Sequence, residues 1–207
     1  NIGRAICDEL IKRGAKVVLL DKSCNHEDYE KMFVKCDLSQ SASIKSALDS
    51  IPNITVLINN CGVFNNGKKF MNLSEQDFDN VINVNFSSYT KTIRQVLPCM
   101  LKSKDKSCVI VNMASCLGIA GVPYMTDYCA SKFAIYGFNE ALRMELKAMN
   151  VKHIKTLIMC PFFVQNGLFP NIKIRFPWLT PQLTSTQVAL DLLHGIENGS
   201  EEIWMPW

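Results

Sequence analysis

Apolar residues recur along the chain in two alternating rhythms. Ile2, Ile6, Leu10 and Ile11 fall on one stripe at helical period, and Gly14 closes that run. Lys16-Val17-Val18-Leu19-Leu20 follows as a short apolar run ended by Asp21, the pattern of a strand buried on both faces. Similar buried-strand patterns lie at Met32 to Val34, Thr55 to Ile58, Cys108 to Asn112, Ile154 to Met159 and Ile203 to Met205. Helical period returns near 41–50, 75–102, 124–149 and 185–197. Strand and helix alternate with short links, which predicts βαβ units and hence a parallel sheet with helices on both faces. No repeat, low-complexity tract or linker divides residues 1–207, so one domain is expected. The first residues are helical already, with no strand ahead of them, and further residues are expected to precede them in the natural polypeptide.

Local chemistry sharpens two boundaries. Ser74-Glu75-Gln76-Asp77 sets a hydroxyl at a helix N-cap with acids in the first turn. Pro98 is expected to perturb the same helix near its end. From Phe162 to Trp178 the period dissolves into Phe162, Phe163, Leu168, Phe169, Phe176 and Trp178 among Gly167, Pro170 and Pro177. An aromatic loop of this kind needs a core to cover or a ligand to hold.

Composition narrows the classes without changing the fold. Apolar content of 48% and charged content of 20% exclude disordered and fibrous chains. Lys plus Arg number 22 against 19 acids, scattered rather than blocked, so nothing favours a nucleic-acid partner. The nine cysteines form no C-x-x-C pair and the three histidines stand apart, which argues against a metal site. Cysteines inside apolar runs, as in Ser107-Cys108-Val109-Ile110-Val111, fit reduced thiols packed as small hydrophobes in a reducing compartment. No apolar run approaches the ~18 residues of a membrane span, and no signal peptide opens the chain.

The sharpest chemical pattern is Tyr128-Cys129-Ala130-Ser131-Lys132. Tyr and Lys at i and i+4 share a helix face, and an ammonium beside a phenol favours phenolate. A downward shift of ~2 units from ~10 would let Tyr128 exchange a proton near neutral pH. Alone, the same spacing is more often a solvated helix face. Ser115, thirteen residues upstream, follows the run Val109 to Ala114, which sets its hydroxyl at the C-terminal end of a parallel strand, where open α/β sheets bind ligands. With Gly118 three residues on, an ordinary turn serine is the alternative. Asn59-Asn60-Cys61-Gly62 also leaves a strand end, and Asn83-Val84-Asn85 lies inside a helical stretch, where Asn is a mediocre former. Asp21 stands 18 residues after Gly3, about where dinucleotide-binding folds place a ribose-binding carboxylate; a turn former is again the alternative.

In order and spacing these residues resemble the classical short-chain dehydrogenases/reductases. Ile2-Gly3 is similar to the end of the family's T-G-x-x-x-G-I-G loop, Asn59 to Gly62 to N-N-A-G, and Asn85 to the active-site Asn. Ser115, Tyr128 and Lys132 resemble the Ser and Y-x-x-x-K, and Cys160-Pro161-Phe162-Phe163-Val164 the nicotinamide loop. Within the family the likeness is to retinol and 17β-hydroxysteroid dehydrogenases, through Val111 to Ser115, Tyr128 to Ala134 and Leu193 to Ile196. Departures are Cys61 for Ala and Asn166 where Thr is common.

The resemblance implies a Rossmann-type, doubly wound sheet whose first strand and most of whose Gly-rich loop lie outside this chain. It implies hydride transfer between nicotinamide and a lipophilic alcohol, with Tyr128 moving the proton, Ser115 binding the substrate oxygen, and Lys132 lowering the Tyr128 pKa and bonding the ribose. Asn85 would hold a water linking Lys132 to solvent. Ile2 and Gly3 would meet the pyrophosphate, Asp37 and Leu38 the adenine, Asn59 and Gly62 the adenosine ribose, and Pro161 and Val164 the nicotinamide end. Asp21 favours NAD over NADP by repelling a 2′-phosphate, whereas the neighbouring Lys22 could accommodate one. The family's pattern also implies a homodimer through segments 75–102 and 124–149, and work at the endoplasmic reticulum or lipid-droplet surface, with membrane attachment only through an upstream anchor. Two further readings stay open: a catalytically silent nucleotide-binding scaffold or sensor, and a thiol-sensitive site through Cys61, Cys116, Cys129 and Cys160, against inert packed thiols.

Overall fold

The computed structural model describes residues 1–24, 27–165, 167–169 and 181–206. Along them run α1 (Ile2–Lys12), β1 (Leu19–Asp21), β2 (Phe33–Lys35), α2 (Ser41–Asp49), β3 (Val56–Asn59), α3 (Glu75–Ile82), α4 (Ser88–Lys102), β4 (Cys108–Met113), α5 (Thr126–Ala148), β5 (Ile154–Pro161), α6 (Ser185–Asn198) and β6 (Glu202–Met205). Every strand pairing is parallel. The expected α/β architecture of strands alternating with covering helices is what the chain adopts.

The strands fall into two sheets, β1-β2 and β3-β4-β5-β6. β4 is buried at all six positions, because its side chains alternate between two apolar layers. Cys108 and Ile110 pack toward α2, α4 and α5, with Ile44, Ile93, Val96 and Leu142. Val109, Val111 and Met113 point the other way, to Ile6 of α1 and Val188, Ala189 and Leu192 of α6. This two-sided burial is what a near-continuous apolar strand specifies, and it sets the loops after β3, β4 and β5 together at the sheet's C-terminal edge.

Two expectations need correction. The first strand begins at Leu19 rather than Lys16, and Val18 is 37% exposed. A run buried on both faces needs partners on both sides, whereas among the described residues β1 pairs with β2 alone. The helical stretch 75–102 is not one α-helix: a π-helical segment, Asn83–Ser87, divides α3 from α4. Pro98 lies inside α4, which continues to Lys102. Short 3-10 turns at Glu27–Met32, Phe70–Asn72 and Cys116–Gly118 are too brief to leave a periodic pattern. The Ser74 cap is as expected, its hydroxyl accepting the Asp77 N–H at 3.1 Å. Among the described residues no helix is long and apolar enough to cross a membrane.

Candidate active site at the ends of β3, β4 and β5

Ser115 leaves the end of β4 in extended backbone and caps the Cys116–Gly118 turn, its hydroxyl accepting the Leu117 N–H at 3.2 Å. The same hydroxyl reaches the Pro161 carbonyl at the end of β5, at 3.5 Å. Gly118 does close a turn, as the plain reading of this serine required, but the hydroxyl faces inward. α5 packs across this edge and sets Tyr128 and Lys132 one turn apart on its buried face. The Tyr128 phenol lies near enough to the Ser115 hydroxyl for that hydroxyl to favour its ionised form. Lys132 Nζ donates to the Met113 carbonyl at 2.8 Å and lies 5.5 Å from the Tyr128 ring centroid and 5.9 Å from that of Tyr89. Ser115, Tyr128 and Lys132 are each no more than 5% exposed.

The electrostatics differ from the expectation of an acidified phenol. Burial pushes the Tyr128 phenol well above its ordinary value, and the neighbouring Ser115 hydroxyl opposes that rise only in part. Lys132 Nζ lies over the rings and bonds a backbone carbonyl, and because burial lowers its own pKa it loses its charge before the phenol ionises, so it does not offset that rise. Burial also lowers Lys132 itself to about 8. At neutral pH the pair is therefore a neutral phenol beside an ammonium near its titration point.

Asn85 sits in the π-helical segment, fully buried, and its amide is committed. Its Oδ1 accepts the Val63 N–H at 2.8 Å, and its Nδ2 donates to the Val63 carbonyl at 3.0 Å and to Ser131 Oγ at 3.1 Å. The side chain expected to hold a water thus pins the loop after β3. A π-turn widens the helix locally and is common at functional sites, but sequence period does not reveal it. Three further bonds hold that loop: Tyr89 Oη donates to the Cys61 carbonyl at 2.8 Å, and Asn65 Nδ2 to the buried Asp127 carboxylate at 2.9 Å and to the Asp77 carbonyl at 3.0 Å. Tyr89 and Asp127 carry no motif that sequence reading singles out.

Of the expected nucleotide contacts, Gly3 lies at the N-terminal end of α1, where a Cβ would stand 2.8 Å from Asn60 Nδ2 and displace that side chain. Ile2 packs partly against the α1–α6 core. A Cβ on Gly62 would lie 3.6 Å from Asn85 Oδ1 and 4.0 Å from Lys132 Nζ, which sets Gly62 between the two. Asp21 ends β1, and Lys22 Nζ is held 3.3 Å from Asp37 Oδ1. Asp37, held below the usual carboxylate range by Ser39 and then Lys22, opens the turn after β2, with Leu38 packed partly against the α2 side of the core.

Two expected contacts are spent elsewhere. The Asn59 side chain donates to Asn112 Oδ1 at 3.0 Å and accepts from Thr92 at 2.7 Å inside the core, so only its backbone is left to face a ribose. Val164 is buried beside Leu183, bridging to it, rather than turned to the site, while Pro161 lends its carbonyl to Ser115. Burial raises the Cys61 and Cys116 thiols and pushes Cys160 up to about 12, which favours inert packed thiols. Of the aromatic loop, Asn166, Pro170, Phe176, Pro177 and Trp178 lie outside the described residues, and Phe169 packs on Tyr128.

The residues present fit a nicotinamide nucleotide. Lys132 is a buried ammonium with three N–H bonds and, among the described residues, one hydrogen-bond acceptor, the Met113 carbonyl. Gly62 leaves open the space beside it, and the first turn of α1 offers backbone N–H groups suited to an anion.

Residues 1–173 match the family model for short chain dehydrogenases. The whole chain is 30% identical to epidermal retinol dehydrogenase 2 of Homo sapiens, spanning 71% of that relative. It is 31% identical to estradiol 17-beta-dehydrogenase 11 of Rattus norvegicus, spanning 72%. A solved structure of a short chain dehydrogenase/reductase from Burkholderia phymatum, in complex with NAD, superposes with a TM-score of 0.81 over 98% of this chain and 84% of that one, at 24% identity.

Proposed function

Because this chain belongs to the short-chain dehydrogenases, a family of NAD(P)-dependent oxidoreductases, we propose that it acts as one dinucleotide-binding domain moving hydride between NAD(H) and a lipophilic alcohol of the retinoid or steroid class. The observation that carries this reading is the burial of Ser115, Tyr128 and Lys132 together at the strand ends, with Lys132 one helical turn from Tyr128 on the same face of α5. Bound nicotinamide supplies the hydride acceptor or donor at its ring. Tyr128 exchanges the proton of the substrate oxygen at Oη, and Ser115 steadies the charge on that oxygen. The neutral phenol that burial favours is the form that gives a proton to a carbonyl, while alcohol oxidation draws on the Lys132 ammonium to stabilise phenolate. Lys132 would also donate to the ribose, and Asn85 keeps the loop bearing Gly62 in place.

Lipophilic substrates are favoured by the names of the relatives and by the apolar wall of Phe64, Leu117, Met125 and Phe169 around Tyr128. NAD is favoured by Asp21 at the end of β1 and by the pairing of Lys22 with Asp37, which draws that cation toward a carboxylate. A homodimer through α4 and α5 accords with Phe133 and Met144, which stand exposed on α5. The test is NAD reduction followed spectrophotometrically with retinol and steroid alcohols, beside Tyr128→Phe. Turnover lost in the variant supports the proposal. NAD binding without turnover of any lipophilic alcohol or carbonyl overturns it in favour of a scaffold.

A further inference from the structure

Resting on that reading, we propose that Phe64 and Phe169 determine which alcohol this site accepts: Phe64 is a fixed wall, and Phe169 is the ring whose place the apolar face of the substrate takes. Ser115 and Tyr128 are each 5% exposed, so a substrate oxygen reaches them only after a covering group yields. Three side chains pack on the buried cluster of Met125, Tyr128 and Cys129, namely Phe64, Leu117 and Phe169. The two phenylalanines and Tyr128 meet edge to face in a closed triangle, with centroids 4.7 Å apart for Phe64–Phe169, 5.2 Å for Tyr128–Phe169 and 6.0 Å for Phe64–Tyr128.

Among the described residues the two rings are anchored differently. Phe64 lies between Val63, whose N–H and carbonyl both bond Asn85, and Asn65, whose amide bonds Asp127 and the Asp77 carbonyl. Moving Phe64 would break bonds to buried groups on two helices. Upstream of Phe169, the hydrogen bonds are at Gln165 and Gly167, the latter a turn closed at 3.2 Å, and the ring itself is held by aromatic contacts. An apolar ring presented by a substrate beside its carbinol carbon can replace those edge-to-face contacts like for like, whereas a sugar or a small polar alcohol cannot. The site is therefore selective for an alcohol with a flat, unsaturated or fused-ring face next to the reacting carbon.

The test uses the full chain and Phe64→Ala, Phe64→Leu, Phe169→Ala and Phe169→Leu, each checked for native circular dichroism. The first measurement is the ratio of kcat/KM for a fused-ring secondary alcohol to that for 2-propanol. The alanine variants should lower that ratio by about ten-fold or more, mainly through KM for the fused-ring alcohol, with the leucine variants intermediate. The second measurement does not depend on turnover: alkylation of Cys129 by iodoacetamide, mapped by peptide mass spectrometry. Cys129, 7% exposed beneath the rings, should label at least several-fold faster in Phe169→Ala, and the fused-ring alcohol should slow labelling of the unsubstituted chain. An unchanged ratio together with unchanged Cys129 labelling in the folded variants overturns the assignment. If the unsubstituted chain turns over no alcohol, the hydride-transfer reading fails, and the labelling arm then decides alone whether the two rings form the cover.

Discussion

Two groups of buried polar side chains lie on β3, β4, α4, α5 and the turn after β4, and follow opposite rules. In the first, Thr92, Asn59, Asn112 and Asn139 form a ladder of bonds of 2.7, 3.0 and 2.9 Å, and every side-chain oxygen and nitrogen of Asn59 and Asn112 has a partner. In the second, just past the end of β4 and earlier on α5, Ser115 holds a 3.5 Å bond to Pro161, Lys132 bonds a single carbonyl among the described residues, and burial displaces both Tyr128 and Lys132 from their ordinary ionisation. A satisfied network ties strands and helices into one register. A partly satisfied one keeps reactive groups short of partners that a ligand can supply.

The contrast breaks most readily at Tyr128. Tyr128→Phe should lower kcat by about 10²–10⁴-fold while leaving the urea midpoint close to that of the parent, because Ser115 keeps Leu117 and Pro161 as partners. Asn112→Ala should do the reverse. It strands Asn59 Nδ2 and Asn139 Oδ1 in the core at about 1–3 kcal/mol each, read as a lower urea midpoint.

Lys132 sharpens the contrast through pH. Its folded-state pKa of about 8 lies below the ordinary 10.5, so in that interval the folded chain binds fewer protons here than the unfolded chain. The contribution of Lys132 to stability therefore rises with pH between about 8 and 10.5; at neutral pH the buried ammonium is a cost. Comparing the unfolding free energy of the parent with that of Lys132→Met should show the parent gaining on the variant across that window. A flat difference would mean that burial is not what displaces the lysine. The smallest effect belongs to Thr156, whose buried Oγ1 has no partner among the described residues. Thr156→Val should be neutral or stabilising by up to about 1 kcal/mol, in contrast to any change in the ladder.

Of the site, the local part is legible in the residues. Tyr128 and Lys132 share a face because a helix repeats every 3.6 residues, and Ser115 ends up beside them because a buried run immediately precedes it. The ladder is illegible for the same kind of reason: Asn59 meets a partner 53 residues away and Asn85 one 46 away, and no short window contains both ends. Phe64 and Phe169 converge on Tyr128 from two loops more than a hundred residues apart in the chain, so neither shows its role in its own segment.

The amino-acid order by itself determined the alternation of helices and parallel strands, the two-sided burial of β4 and the i, i+4 pairing at the candidate active site, since each is a matter of period along a few residues. Tertiary structure alone decided which of the buried polar groups are spent on the core, the π-turn that aims Asn85 at Val63, and the direction in which Tyr128 and Lys132 shift. Those outcomes depend on desolvation and on partners brought from distant segments, and neither quantity exists until the chain is packed.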